Sequence, residues 1–393
     1  MKRSTDKIRT THAGRLPNSP GCDDLPIRLF RGETIDPAVL EAGLEHVVRR
    51  QLDIGVDIVG DGEFWKSRSF SYYSRHLTGV ETRALRPGEP VSTRVFTRER
   101  DEFAGFYKDL DATGTIFHVP GEKRMPPETV KMVATGPVKS KGTTAIAQEI
   151  DTFKKGIARA GGAVDEAFMC VIAPGWLDHF IYNEYYKTDE DYIFALAEAL
   201  REEYLAVVDA GFILQIDDPG VVDWWDMLKP ALSVEQYVDK FAKVRIEAVN
   251  HALKGIPQDR VRYHLCWGSW HGPHTHDLAF EHVVNLMLQV NAQCYSFEAA
   301  NVRHEHEWKL WSDTKLPDGK MILPGVVSHS TNLVEHPELV AERIRRFAGA
   351  VGRENVIAGT DCGLGGRVHA EIAWAKLEAL VAGAKLASQA LWR

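Results

Sequence analysis

The strongest constraint on the fold is an alternation that runs the length of the chain. Short runs rich in β-branched and aromatic residues recur, and each stops at residues able to do chemistry. Residues 56–59 run into Gly-Asp-Gly-Glu, 168–173 into Pro-Gly, 212–216 into Asp-Asp-Pro-Gly and 261–266 into Trp-Gly. Residues 294–297 stop at Glu298, 322–327 at Ser-His-Ser and 356–359 at Thr-Asp-Cys-Gly. With an opening strand near residues 8–12, eight strands are predicted. Amphipathic helical stretches lie between them at 37–52, 191–209, 234–252, 278–288, 337–351 and 369–386. Strand followed by helix, repeated, predicts a parallel sheet. Eight units predict an α/β fold of the (β/α)8 TIM-barrel type, whose active site is built at the C-terminal ends of the strands.

One stretch breaks the rhythm. Residues 65–161 hold a further strand-like run at 130–138 and a helix near 144–158, and are read as an insertion between barrel strands 2 and 3. The chain has 393 residues, enough for one decorated barrel or two modest domains. No Pro/Ser-rich linker divides it, so residues 1–393 are expected to form one domain.

Charge and composition narrow the partners. The net charge is -8 with acids and bases interspersed, and no basic stripe offers itself to nucleic acid. The start, MKRSTDKIRTTHAGRLP, has no apolar core of a secretory signal, and no apolar run approaches the roughly 18 residues of a membrane span. Five scattered cysteines do not make a disulfide framework and fit a reducing cytoplasm. The expected partners are small molecules, with self-association into a homo-oligomer left open.

The most specific chemical signal is His264-Leu265-Cys266. Residues i and i+2 of a strand share a face, so both side chains would point to the barrel axis. Glu298 closes the next strand and Cys362 follows the last, at spacings of 32 (298 minus 266) and 64 (362 minus 298) residues. A βα unit runs to roughly 30–35 residues, so these are one and two units, and every ligand arrives at the same barrel end. Zinc takes Cys and His donors tetrahedrally and accepts a carboxylate. A single buried Cys is more often a small core hydrophobe, and Cys22, Cys170 and Cys294 are read as that or as surface thiols. The coincidence of all four donors at strand ends favours a zinc site. Two thiolates and a carboxylate around a dication leave a net charge of -1, which suits an electron-rich bound thiolate better than water activation. Alkylation of a thiol is the predicted chemistry.

These residues resemble the catalytic barrel of the cobalamin-independent methionine synthase family, and more closely its short single-barrel branch that includes epoxyalkane:coenzyme M transferase. The matching segments are Gly60-Asp61-Gly62-Glu63-Phe64, Leu214-Gln215-Ile216-Asp217-Asp218-Pro219, Tyr263-His264-Leu265-Cys266, Ser296-Phe297-Glu298, Pro324-Gly325-Val326 and Thr360-Asp361-Cys362-Gly363. The resemblance implies Zn2+ on His264, Cys266, Glu298 and Cys362, and a methyl or alkyl transfer to a small thiol, as in 5-methyltetrahydropteroyltriglutamate-homocysteine methyltransferases. It implies that Glu63 and Asp217 hold a substrate ammonium. Each also reads as an ordinary turn acid. Where the family has Gly-Ser after the first strand, this chain has Gly14-Arg15, so Arg15 is a candidate clamp for an acidic group. His329 stands one residue earlier than the family's acid histidine and is the candidate catalytic acid.

Other features are read plainly. His271, His274 and His276 could chelate a second metal but more simply line a loop, and His304 and His306 sit in a charged stretch that would solvate or pair them. Trp176, Trp224, Trp225, Trp267 and Trp270 fall in loops at the active end, as pocket walls or as packing under the insertion. The competing functions are epoxide opening by a thiol of the coenzyme M type, a metal-free barrel of the uroporphyrinogen-decarboxylase type, and a non-catalytic zinc-binding module. The metal-free barrel leaves His264-Leu265-Cys266 unexplained, and a closed storage site would not want Glu63 and Asp217 beside it.

Overall fold

A computed structural model of the chain describes residues 1–22, 24–66, 71–89, 97–112, 130–228 and 231–393. Eleven strands are named here in chain order: β1 Arg9–Thr10, β2 Ile58–Gly60, β3 Leu77–Ala84, β4 Val130–Ser140, β5 Glu166–Ile172, β6 Ile181–Asn183, β7 Ile213–Asp217, β8 Val261–Leu265, β9 Cys294–Phe297, β10 Met321–Val327 and β11 Ile357–Thr360. Eight form one parallel sheet in the order β1-β11-β10-β9-β8-β7-β5-β2, the (β/α)8 barrel. Its two outer members, β1 and β2, meet through one backbone bond from Asp57 N–H to Thr10 O at 3.2 Å. Side chains complete this seam: Asp57 Oδ2 accepts from Thr10 N at 2.9 Å, and Thr11 Oγ1 donates to Ile58 O at 2.9 Å.

The strands are short because alternate residues must face a filled interior. Ile58, Phe168, Ile213, Cys294, Leu323 and Ile357 make its apolar lower part and are all buried. Arg262 lies among them, fully buried, with its guanidinium 3.4 Å from the Phe168 ring centroid. Its charge is met by hydrogen bonds to Gln215 Oε1, Thr11 Oγ1 and His12 O rather than by a carboxylate. The helices cover the outside. Pro37–Ile54 shows how the sequence bounds one: Asp36 accepts from Ala38 N, Pro37 opens the first turn, and Gly55 ends it at φ 94.

Two predicted helices come out differently. The 234–252 stretch is Val234–Tyr237 and Lys243–Ala252 joined by a π turn, Val238–Ala242. The 278–288 stretch is a 3-10 turn, Phe280–His282, and a single α turn, Val284–Met287. Here Glu307 Oε1 accepts the Phe280 N–H, which pins the start of the segment to the neighbouring loop.

Between β2 and β5, β3 and β4 pair antiparallel, and β6 joins them from beyond residue 161 to make a three-stranded sheet. The helix Thr144–Ala160 packs on Pro37–Ile54, as the helix of a second βα unit should. The helices Arg98–Glu102 and Ala104–Ala112 reach the active end. There Glu99 Oε2 accepts from Thr275 N at 2.9 Å, and Trp270 Nε1 donates to Tyr107 OH at 3.2 Å. No helix of the described residues is long and apolar enough to cross a membrane.

Candidate active site

The ends of β8 and β11 bring His264, Cys266 and Cys362 together. One ligand atom from each lies within 4.8 Å of the others, and the two sulfurs are 3.8 Å apart. That is far beyond a disulfide bond and matches the ~3.8 Å between two thiolates on one tetrahedral zinc with ~2.3 Å bonds. His264 Nδ1 is 2.9 Å from Ser296 Oγ, while Nε2 is buried with no hydrogen-bond partner among the described residues. A ring held at one nitrogen with the other exposed to two sulfurs is the usual posture of a metal-binding imidazole. The sulfurs form a coupled pair: Cys362 is pulled well below the ordinary thiol range, first by the bond from the Cys266 thiol, and Cys266 is pushed up correspondingly.

Glu298 is not in that group. Its carboxylate stands with His329 and Asp361 in an adjoining trio whose ligand atoms also lie within 4.8 Å of one another. Glu298 Oε1 accepts from Trp267 N at 2.8 Å and Oε2 from Asn301 Nδ2 at 2.6 Å. Each oxygen keeps a second lone pair, so these bonds orient the carboxylate without closing it. Asp361 Oδ1 accepts from Ala299 N at 2.7 Å and Ala300 N at 2.8 Å, tying the turn after Glu298 to the residue before Cys362. Gly325 permits this closeness, because a Cβ there would overlap the Asp361 carboxylate and backbone. Burial pushes both Glu298 and Asp361 up, and burial holds His329 at about 4, so its ring is neutral near pH 7.

A third group gathers Glu63, Cys170 and Asp217, again within 4.8 Å. Glu63 sits in the left-handed region at φ 52, an uncommon posture for a non-glycine that often marks a functional turn. Gln215 Nε2 bridges two members, 2.6 Å from Asp217 Oδ1 and 3.2 Å from Cys170 Sγ. Gly14 faces the group, since a Cβ there would overlap the Glu63 carboxylate and come within 3.0 Å of Cys170 Sγ. Arg15 Nη1 donates to Lys66 O at 2.9 Å, and its backbone packs against Gly363 beside Cys362. Burial, then the Glu63 charge, pushes Asp217 up.

Gln215 and Ser296 stand in the matching segments and Cys170 outside them, and the motifs give none of them a site role, although strand alternation puts Gln215 beside Asp217 and Ser296 beside Glu298. Cys170 is buried in the apolar barrel interior with Phe168 and Ile213, as the core reading expects, and its sulfur also faces this group. The other histidines are satisfied. His274 Nδ1 bonds Asp277 at 3.1 Å, His304 bonds both Asp277 and Glu307, and His276 meets Glu102. His304 is buried and ion-paired, the second of the two roles expected of it. Among the described residues no metal-type cluster includes the 271–276 histidines.

Residues 180–386, just over half of the chain, match the family model described as cobalamin-independent synthase, catalytic domain. The chain belongs to that family. Among its relatives, a methionine synthase of Saccharolobus solfataricus is 24% identical over 397 residues, covering 99% of this chain and 92% of the relative. One from Sulfolobus acidocaldarius is 22% identical, covering 86% of this chain and 80% of the relative. The fold is shared with the structure of a B12-independent methionine synthase from a Shewanella species in complex with selenomethionine. That match has a TM-score of 0.69 at 18% identity over 98% of this chain and 99% of that one.

Proposed function

We propose that this protein is a zinc-dependent transferase that moves a methyl or alkyl group onto a small thiol. The observation that carries the reading is the His264–Cys266–Cys362 group, with its 3.8 Å sulfur separation, at the end of the barrel where Glu63 and Asp217 also stand. Glu298, oriented by Trp267 and Asn301, is the fourth ligand in this reading. Buried acids pushed up by desolvation fit a cation, which favours their ionised forms. Zinc held there would lower the pKa of a bound thiol into the physiological range.

The protein's own groups do the rest. Glu63 and Asp217 hold a positively charged group of the substrate, with Gly14 and Arg15 shaping the neighbouring wall. His329 is the proton donor to the departing group. Because burial holds it near 4, it serves as an acid only after binding of the donor raises that value, and the Cys362 charge acts in that direction. The whole chain is taken as one domain with residues 65–161 inserted. The partners are small molecules and the compartment is the cytoplasm.

Metal analysis of purified protein is the first test. About one zinc per chain is expected, with most of it lost in Cys266→Ser and in Cys362→Ser. X-ray absorption should then gain a sulfur neighbour at roughly 2.3 Å when a thiol is added. Full zinc in both variants, or an unchanged ligand set across a panel of thiols, overturns the reading.

A further inference from the structure

Residues 328–336 join β10 to the helix Pro337–Val351 and carry His329, the proton donor in the reading above. At the tip of this loop Leu333 and Val334 are 77% and 44% exposed, so no apolar anchor is buried there. Bonds within the loop join residues two apart, Ser330 N to Ser328 Oγ at 3.1 Å and Leu333 N to Thr331 Oγ1 at 3.2 Å. These shape the loop but do not fasten it to the barrel. His329 is buried, and its Nδ1 has no hydrogen-bond partner among the described residues. The ring therefore takes its place from the backbone beneath it.

An ion pair fastens that backbone. Glu335 Oε1 accepts from Ser328 N at 2.8 Å, and Oε2 meets Lys376 Nζ at 2.9 Å. The Lys376 ammonium also donates to the Leu333 carbonyl. Lys376 stands in the helix Ala370–Leu391 with its side chain wholly buried, and the Glu335 side chain is nearly so. One carboxylate and one ammonium thus join the two ends of the loop to each other and both to a helix of the barrel wall. A buried pair of this kind adds little stability over an apolar pair of the same volume, because each charge has been taken from water. What a satisfied polar network supplies is a single geometry.

We propose that Glu335 and Lys376 are positioning residues for proton transfer: they set the backbone of 328–335 so that the His329 ring stays beside Glu298 and Asp361. The proposal rests on the thiol-transfer reading, in which a sulfur–carbon bond forms as a carbon–nitrogen or carbon–oxygen bond breaks. The departing nitrogen or oxygen keeps the electron pair and takes the proton from His329. An iodide leaving group keeps its electron pair and needs no proton. The clasp therefore matters to the first kind of donor and not to the second.

The test compares the two kinds of donor on zinc-loaded protein. The proton-requiring reactions are homocysteine with 5-methyltetrahydropteroyltriglutamate and coenzyme M with propylene oxide. The proton-free ones are the same thiols with methyl iodide, corrected for the rate without protein. Lys376→Met with Glu335→Leu replaces the pair by apolar side chains of similar volume, an exchange that buried sites accept. In whichever proton-requiring reaction the parent catalyses, kcat should fall roughly 10- to 100-fold, as it does when a reacting group is displaced by about an ångström. The methyl iodide rate and the zinc content should stay within about twofold of the parent. Lys376→Met with Glu335→Gln returns an acceptor to the Ser328 amide and should recover part of the loss. Equal slowing with both donors marks a merely structural role and overturns the proposal, as does an unchanged kcat. Should neither double variant fold, hydrogen exchange of the parent decides: the Ser328 amide should be protected at least about 100-fold relative to an unfolded chain, and free exchange overturns the proposal. His329→Asn separates the failures. If it slows both donors alike, or neither, the acid role of His329 falls and this proposal with it. If it shows the split and the clasp variants do not, this proposal falls alone. A parent inactive in all of these reactions sinks the thiol-transfer reading and the proposal together.

Discussion

Asp361 is the place where a small change should reveal how the site is held. Its side chain is fully buried, and Oδ1 accepts from the Ala299 and Ala300 amides at 2.7 and 2.8 Å. Oδ2 faces Asn301 Nδ2 at 3.3 Å. Asp361→Ala leaves two buried N–H groups without an acceptor, at about 1–3 kcal/mol each. Allowing for partial relaxation, the loss should be ~3–5 kcal/mol, a large share of a typical total of about 5–15. Asp361→Asn is different. Its oxygen can still serve both amides, but its NH2 meets that of Asn301. Asn301 cannot turn over to escape, because its oxygen already accepts from the Arg303 and His304 amides at 2.9 and 3.1 Å. One donor–donor conflict and weaker neutral bonds predict ~1–2 kcal/mol. Urea unfolding of chelator-treated protein, followed by far-ultraviolet circular dichroism, measures both losses. A zinc-competition assay on folded protein should show affinity reduced about 10- to 100-fold in the Asn variant, since the turn carrying Glu298 loosens. The reasoning is refuted if Asn proves as damaging as Ala, or if Ala costs less than about 1 kcal/mol.

Three further outcomes follow from the geometry. His329→Asn should lower kcat by roughly 100- to 10,000-fold while leaving zinc content and thiol affinity intact; stopped-flow assays beside metal analysis check this, and loss of zinc would make His329 a ligand instead. Gly14→Ala forces a side chain onto a φ of 113 and into the Glu63 carboxylate, so thiol affinity should fall at least tenfold with a stability cost of about 1–3 kcal/mol; an unperturbed dissociation constant would remove Gly14 from the substrate wall. The third concerns pH. Burial opposes the charge on His274, but its bonds to Asp277 hold it at about 9, above its ordinary 6.5. A histidine raised on folding stabilises fully below its unfolded value and loses that contribution as pH climbs through its folded one. Asp277 also holds His304, raised against burial to about 10, so the gap in unfolding midpoint between the parent and Asp277→Asn should be wide near about pH 6 and narrow as pH climbs past about 9 to 10; a gap that stays constant over that range contradicts charged forms of both histidines.

The barrel was legible because its two periodicities are strong. Runs at 261–266 and 294–297 were short, β-rich and bounded, and β8 and β9 formed within a residue of them. His264 and Cys266 could be placed on one face because alternation allows nothing else, and the spacing to Cys362 placed that residue at the same end. What did not show is contact made across strands by side chains of ordinary type. Lys66 reaches from the loop after β2 to a carbonyl of β5, and nothing periodic announces it. Asp361 lies in the bend after β11, and its carboxylate is spent on the amides of the Ala299 turn, a contact between two strand ends that no local pattern shows. The break in the 278–288 helix escaped because Glu307, distant in sequence, captures the Phe280 amide, and no breaker residue marks the π turn in 234–252.

The seam between β1 and β2 has a consequence for how such a site can be retuned. Seven of the barrel's junctions are laced by ladders of backbone bonds, while this one relies on a single such bond and on Asp57, Thr10 and Thr11. The loops that leave these two strands carry Gly14 and Arg15 on one side and Glu63 and Lys66 on the other. Sliding one strand past its neighbour by a fraction of an ångström would widen or narrow the gap between those loops, yet leave the sulfur-bearing ends of β8 and β11 where they are. Substitutions at Asp57 or Thr11 thus act on the spacing of those loops through the seam, without touching any residue of the three clusters.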